Sequence, residues 1–143
     1  MVPRLLISLW LLATLAGCGS SAKLGQVSGV VRASGKPLAG VVVTFVPDGN
    51  ETTPALRSLA QTDAEGRYRL RTEDGRDGAI VGKHSVTVED LAIQSAPRSE
   101  DGTVLKRPPV RFSPSYADPI RTPLKFEVKP DSQTIDLDLS QSP

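Results

Sequence analysis

The stretch Thr62-Asp63-Ala64-Glu65-Gly66-Arg67-Tyr68-Arg69-Leu70 restricts the fold of this chain more than any other. An aspartate can accept hydrogen bonds from backbone amides two residues on, and a glycine supplies the positive φ that such a turn needs. The alternation that follows puts Tyr68 and Leu70 on one side of an extended strand and Arg67, Arg69 and Arg71 on the other. A helix can use neither half of that pattern. Composition agrees: 12 glycines, 12 prolines and 4% aromatic residues in 143 positions favour many short strands joined by turns over a helical bundle. The length suits one domain.

The same alternation recurs along the chain. Residues 26–33 form a first strand, with Val27 and Val31 on one face and Val30 on the other. Ser34-Gly35-Lys36-Pro37-Leu38-Ala39-Gly40 is a turn, and the β-branched run Val41-Val42-Val43-Thr44-Phe45-Val46 is expected to return against that strand as a hairpin. Residues 56–61 make a weaker third strand. In 83–89, His84, Val86 and Val88 share a face, as expected of a half-buried strand. Residues 91–115 carry Pro97, Pro108, Pro109 and Pro114 among charged side chains, the composition of a long flexible loop with little to bury. Two alternating arms follow, 124–129 and 133–139, joined by Pro130-Asp131-Ser132 as a terminal hairpin. About seven strands then close a two-sheet antiparallel sandwich.

The first 17 residues solve a different physical problem. Arg4 precedes an apolar run over 5–16, well short of the roughly 20 residues needed to span a bilayer, so the segment reads as a secretory signal peptide. Leu15-Ala16-Gly17-Cys18 resembles the bacterial lipobox. The resemblance implies that the leader is removed and that Cys18, the only cysteine, carries a thioether-linked diacylglycerol and an amide-linked acyl chain such as palmitate. One acyl chain binds a membrane only marginally, at about 0.8 kcal/mol per buried methylene, whereas several hold stably. Residues 18–25 are then the lipidated cysteine and a short tether, 26–143 the domain, and the location an exported, membrane-anchored lipoprotein on the periplasmic or cell-surface side of the envelope. Losing Arg4 with the leader balances basic against acidic side chains, and no charge field recommends nucleic acid as a partner.

Three motifs in order carry a second resemblance: Val27-Ser28-Gly29-Val30-Val31, then Gly35-Lys36-Pro37-Leu38-Ala39-Gly40-Val41-Val42-Val43, then Thr62-Asp63-Ala64-Glu65-Gly66-Arg67-Tyr68. Together they look like the carboxypeptidase regulatory-like domain, a transthyretin (prealbumin)-like β-sandwich. The resemblance covers residues 26–90 best and implies an all-β fold.

Candidate chemistry is sparse. His84 is the only histidine and lies in phase with Val86 and Val88, which makes it core filling. A nucleophilic triad or a zinc site needs partners that the sequence does not supply, so no catalytic, metal or cofactor residue is expected. Glu73-Asp74-Gly75-Arg76-Asp77-Gly78 has the oxygen-rich look of a calcium loop without its twelve-residue spacing, and reads as an ordinary turn. An internal isopeptide bond would need a lysine and an asparagine or aspartate buried beside a carboxylate, and Asn50, the only asparagine, lies in a loop. Arg67, Arg69 and Arg71 form the one distinctive charged feature: alternate strand positions set three guanidinium groups along one sheet face. Cross-strand acids are expected to neutralise that face, and a patch for anionic lipid, acidic polysaccharide or a partner protein is the alternative.

The expectation is therefore a non-enzymatic, lipid-anchored envelope protein acting as a binding, adhesion or scaffold module. Its partners would be the membrane through Cys18 and an envelope protein or polysaccharide. The alternative is a carbohydrate-binding accessory domain, for which Phe112 and Tyr116 are the available sugar-facing pair.

Overall fold

The structure, a computed structural model, describes residues 22–49 and 56–140. Its strands in chain order are β1 (Leu24–Gly25), β2 (Val27–Ala33), β3 (Lys36–Pro37), β4 (Val41–Pro47), β5 (Ser58–Gln61), β6 (Arg67–Arg69), β7 (Arg71–Thr72), β8 (Ala79–Ile80), β9 (Gly82–Asp90), β10 (Lys125–Val128), β11 (Gln133–Thr134) and β12 (Leu137–Leu139). One helical turn, α1 (Leu91–Gln94), and a 3₁₀ turn, Pro114–Ala117, lie between β9 and β10.

These strands pack as an all-β, two-sheet sandwich. One sheet has the order β10-β9-β4-β5-β7, antiparallel throughout. In the other, β2 is central. Its odd residues bond towards β6 (Val31 N–H to Gly66 O, Leu70 N–H to Val27 O), and its even residues bond towards β11 (Gln133 N–H to Gln26 O, Ile135 N–H to Ser28 O). The strands β11 and β12 run parallel to β2, so this edge of the sandwich departs from the expected antiparallel pairing. Val27, Val31, Leu137 and Leu139 from this sheet meet Val41, Val43, Phe45, Val86, Val88 and Val128 from the other, all buried.

Both expected hairpins are corrected. β2 and β4 lie in different sheets: after β2 the chain pairs back briefly, Arg32 opposite Pro37 and Ala33 opposite Lys36, with Leu38 N–H bonding Val31 O, and then crosses over. Pro37 has no N–H to give to this ladder, and Leu38 N–H makes the last bond to β2 before the chain leaves. Likewise β10 pairs with β9, while β11 and β12 join β2 across the sandwich. Alternation alone cannot distinguish a return in the same sheet from a crossover, because both put the same side chains inside. The strand β9 is also buried on both faces, Ser85 and Thr87 included, where a half-buried strand was expected.

The opening turn behaves as its residues require. Asp63 Oδ1 accepts from the N–H groups of Glu65 (3.0 Å) and Arg67 (2.8 Å). Gly66 has φ +73°, and a Cβ there would lie 2.7 Å from Val31 O and 2.9 Å from Leu38 N. Gly29 is required for a different reason: a Cβ would meet Ile135 O at 1.9 Å. That carbonyl accepts from the Tyr68 hydroxyl at 2.6 Å, while Asp136 Oδ1 takes the Val30 N–H at 2.9 Å, so a side chain supplies the ladder bond between β11 and β12.

Strand direction defines two poles. At one, Val81 N–H bonds Lys23 O, Gly78 packs on Gly25, and Gln133 bonds Gln26. At the other, Leu91 N–H bonds Gly40 O, Gly40 N–H bonds Thr62 O and Ser113 N–H bonds Ser140 O. The seven residues of β2, at about 3.3 Å each, set the poles roughly 20 Å apart. The chain enters at the first pole, and the excursion 91–115 covers the second.

Candidate functional site

The excursion 91–115 is tied down at both ends. Asp90 ends β9 and caps α1, its Oδ1 accepting from Ala92 N–H at 2.9 Å. Arg111 then returns to the same carboxylate: Nε donates to Oδ2 and Nη2 to Oδ1, each at 2.6 Å, while Nη1 donates to Ala39 O at 2.9 Å. The Asp90 side chain is 2% exposed and that of Arg111 32%. Burial raises the Asp90 pKa, but the hydrogen bonds from Arg111 and Ala92 outweigh it, and the carboxyl ends below its ordinary value. The guanidinium is correspondingly raised by its bonds to Asp90. Phe112 and Ala96 are buried, so the segment has more to bury than its composition indicates.

Between this excursion and the end of β9 lies a cleft of about 250 Å³, walled by Val88, Ile93, Val110, Phe112, Pro114 and Ala117. Its polar wall groups are already bonded to one another. Asp90 holds Arg111, and Gln94 Nε2 donates to Glu89 Oε2. Ile93 and Val110 are 43% and 58% exposed and form its lip. They also wall a second lobe of about 300 Å³, lined by Ala96, Arg98, Val104, Arg107 and Pro108. Sequence reasoning did not find this site. A lone arginine returning to a helix-capping aspartate 21 residues earlier leaves no periodic trace.

The structure divides the arginine stripe between two strand pairings. Arg67 and Arg69 lie on β6, which pairs with β2, whereas Arg71 lies on β7, which pairs with β5 in the other sheet. The strand changes sheets at the buried Leu70, so the stripe is divided between two pairings, although Arg69 and Arg71 still line one open recess with Leu59, Gln61 and Glu73. Arg71 is bonded to Asp77 at 3.1 Å and to Gly75 O at 3.0 Å; Arg67 and Arg69 have no ion-pair partner among the described residues. The acidic turn at 73–78 is likewise occupied by arginines. Asp74 accepts from Arg76 Nε and Nη2 and from Thr72 Oγ1, which hold its carboxyl at about 2, and Glu73 pairs with Arg57 at 2.8 Å.

Phe112 and Tyr116, expected to face sugar, are 7% and 5% exposed and pack edge to face with ring centroids 6.3 Å apart. They belong to the core, because Phe112 follows Arg111 into the sandwich and Tyr116 bonds Ser140. His84 is buried with its ring 5.8 Å from Phe45; Nδ1 meets Gly82 O at 2.9 Å, and Nε2 has no partner. Burial depresses its pKa. Its neighbour Ser85 donates to Asp48 Oδ1 at 2.8 Å and accepts from Lys125 Nζ at 2.5 Å, a hydrogen-bonded chain that unites β9, β10 and the end of β4. Cys18 and Asn50 lie outside the described residues. No group of three or more His, Cys, Asp or Glu side chains placed to hold a metal ion occurs among the described residues, and no helix among them is long and apolar enough to cross a membrane.

No family model and no curated protein matches the chain. Among solved structures it is similar to the dioxygenase domain of a dioxygenase carbohydrate-binding protein fusion from the cellulolytic bacterium Streptomyces sp. SirexAA-E. The two are 18% identical, with 87% of this chain and 84% of that one covered, at a TM-score of 0.42. That neighbour is an enzyme domain, so the expectation of a non-enzymatic protein, drawn from a missing catalytic constellation, does not stand. The likeness assigns no activity to this chain.

Proposed function

We propose that this chain is an envelope lipoprotein of the carboxypeptidase regulatory-like kind, anchored through acyl chains on Cys18, whose sandwich serves as a binding module with its ligand site in the cleft between α1 and residues 110–117. One observation carries the reading: the apolar cleft lies at the pole opposite the one where the chain enters the domain. A tether attached at Cys18 reaches at most about 3.3–3.6 Å per residue, which holds the entry pole near the bilayer and turns the cleft away from it. Clefts that are mostly apolar with a few placed polar groups are the usual form of ligand sites. Burial of Phe112 and Tyr116 removes the stacking platform on which a sugar-binding reading would rest.

Two measurements test this. A fatty-acid analogue fed to cells should label the parent chain and not Cys18→Ser; an unlabelled parent would remove the anchor. In the lipidated protein, a fluorophore on Lys129→Cys should transfer energy to headgroup-labelled lipid more strongly than one on Asp101→Cys. Equal or reversed transfer would refute the orientation.

A further inference from the structure

The two lobes that meet at Ile93 and Val110 differ in what they leave unsatisfied. In the inner lobe the walls are hydrocarbon and the polar groups are mutually bonded: Asp90 with Arg111, and Glu89 with Gln94. Arg111 also bonds Ala39 O, so each of its three nitrogens already holds one partner. A peptide entering this lobe would bring amides that find no partner, and an unpaired polar group is costly to desolvate. A hydrocarbon chain carries no such penalty.

The outer lobe is the reverse. Arg98 and Arg107 line it, and neither has an ion-pair partner among the described residues; Arg98 donates only to Gly102 O, at 3.3 Å. The nearby acid Asp101 is committed to Ser99 Oγ and to Thr103 N–H, 2.9 Å away. Two guanidinium groups without an acidic partner among the described residues, beside an apolar passage, favour an anionic head, which a planar fork can hold bidentately. Ile93 and Val110 stand between the lobes and are exposed, so a chain can pass from one lobe to the other over their side chains.

We propose that this paired cleft binds a single-chain anionic amphiphile, with its hydrocarbon tail in the inner lobe and its head group between Arg98 and Arg107. The proposal rests on the cleft reading above and adds the class of ligand. Carboxylate and phosphate heads share the required chemistry, and the test separates them.

The test uses the full chain with Cys18→Ser, which removes the acylation site and alters no described residue. Decanoate, decyl phosphate, decanol and decylamine are titrated calorimetrically below their micelle thresholds. Decanoate or decyl phosphate should bind at least about tenfold more tightly than decanol, and decylamine more weakly than either. The ranking of the two anions identifies the head group. Arg98→Gln/Arg107→Gln should bring the anions to the level of decanol and leave decanol unchanged, while Ile93→Asp should abolish binding of all four.

Decanoate and decyl phosphate binding no better than decylamine, or keeping their affinity in the double arginine variant, would overturn the amphiphile proposal. If decanol still binds and Ile93→Asp still abolishes it, the cleft remains a ligand site. If none of the four binds, or a neutral apolar peptide binds more tightly than either anion, the amphiphile is refuted; with no binding at all, the cleft reading falls too. Urea unfolding of each variant separates lost binding from lost folding.

Discussion

Removing the Arg111 guanidinium while keeping its aliphatic bulk, as in Arg111→Met, isolates what holds the excursion to the sandwich. The substitution deletes two charge-assisted bonds of 2.6 Å to Asp90 and one of 2.9 Å to Ala39 O. It leaves a carboxylate whose side chain is 2% exposed with a single bond, from Ala92 N–H. Breaking a buried pair from one side costs about 3–5 kcal/mol, because the remaining charge stays desolvated. For a domain of this size that lowers Tm by roughly 10 °C or more. The reciprocal Asp90→Asn should cost less, about 1–2 kcal/mol, because Arg111 is one-third exposed and water can take over its donors.

The pH dependence gives a second readout of opposite sign. In the parent, the Asp90 carboxyl is held below its ordinary value, so its stabilisation is present above the unfolded pKa of about 4 and is lost as pH falls through the lower folded value. In Arg111→Met burial dominates and the folded pKa rises above the unfolded one. That variant therefore loses stability as pH rises through about 4 towards neutrality. Urea unfolding followed by far-ultraviolet circular dichroism between pH 3 and pH 8 measures both. A variant within about 0.5 kcal/mol of the parent, or one with the parent's pH slope, would refute the account of the latch.

Gly66→Ala should destabilise by about 3 kcal/mol, since it combines a positive φ with a Cβ 2.7 Å from Val31 O; a cost below about 1 kcal/mol in the same titration would contradict the crowding. Tyr68→Phe should cost about 1 kcal/mol through loss of the 2.6 Å bond to Ile135 O, with hydrogen exchange accelerating at the Gln133 and Ile135 amides; unchanged exchange there would detach Tyr68 from the last strand. His84→Phe should be neutral or stabilising at pH 7, because it removes an unpartnered Nε2. Burial depresses the pKa of His84, so the parent loses stability as pH falls below the unfolded value of about 6.5, levelling off under the folded value. His84→Phe should flatten that part of the profile, and an unaltered slope would assign it to another group.

What could be read from the sequence follows from what alternation encodes. The burial of Val27, Val31, Tyr68, Leu70, Val86, Val88, Val128 and Leu137 was legible because period-two patterning fixes the inside face wherever a strand pairs. The partner of each strand was not. Residues 34–40 and 130–132 read as hairpin turns, yet each carries the chain to the opposite sheet. The split of the arginine stripe has the same origin, because one residue, Leu70, both continues the alternation and ends pairing with β2. The excursion was misjudged for another reason: its burial rests on Ala96 and Phe112 alone, and its ion-paired anchoring on one arginine, neither of which composition weighs.

The position of the cleft follows from the same crossovers. A sandwich offers two sheet faces and two poles, and here the sheet interior is filled by valines, leaving the loops at the poles to make a site. The pole at which the chain enters is closed by backbone pairing of β1 with β8 and of Gln133 with Gln26. At the other, the connection from β9 to β10 is too long to hug the sheet and must bury something to stay on it. Phe112 does that, and Arg111 beside it is pulled onto Asp90, the residue that also starts α1. Ile93 and Val110 are held apart by this clamp, exposed on either side of the gap. The open apolar cleft is thus the geometric remainder of fixing a long excursion at one aspartate, and a ligand that fills it would share Asp90 and Arg111 as its floor. Occupancy should accordingly slow hydrogen exchange at the Ala92 amide, which bonds Asp90, before it affects the distant Val81 amide; equal protection of both amides would mean that the cleft is not coupled to the clamp.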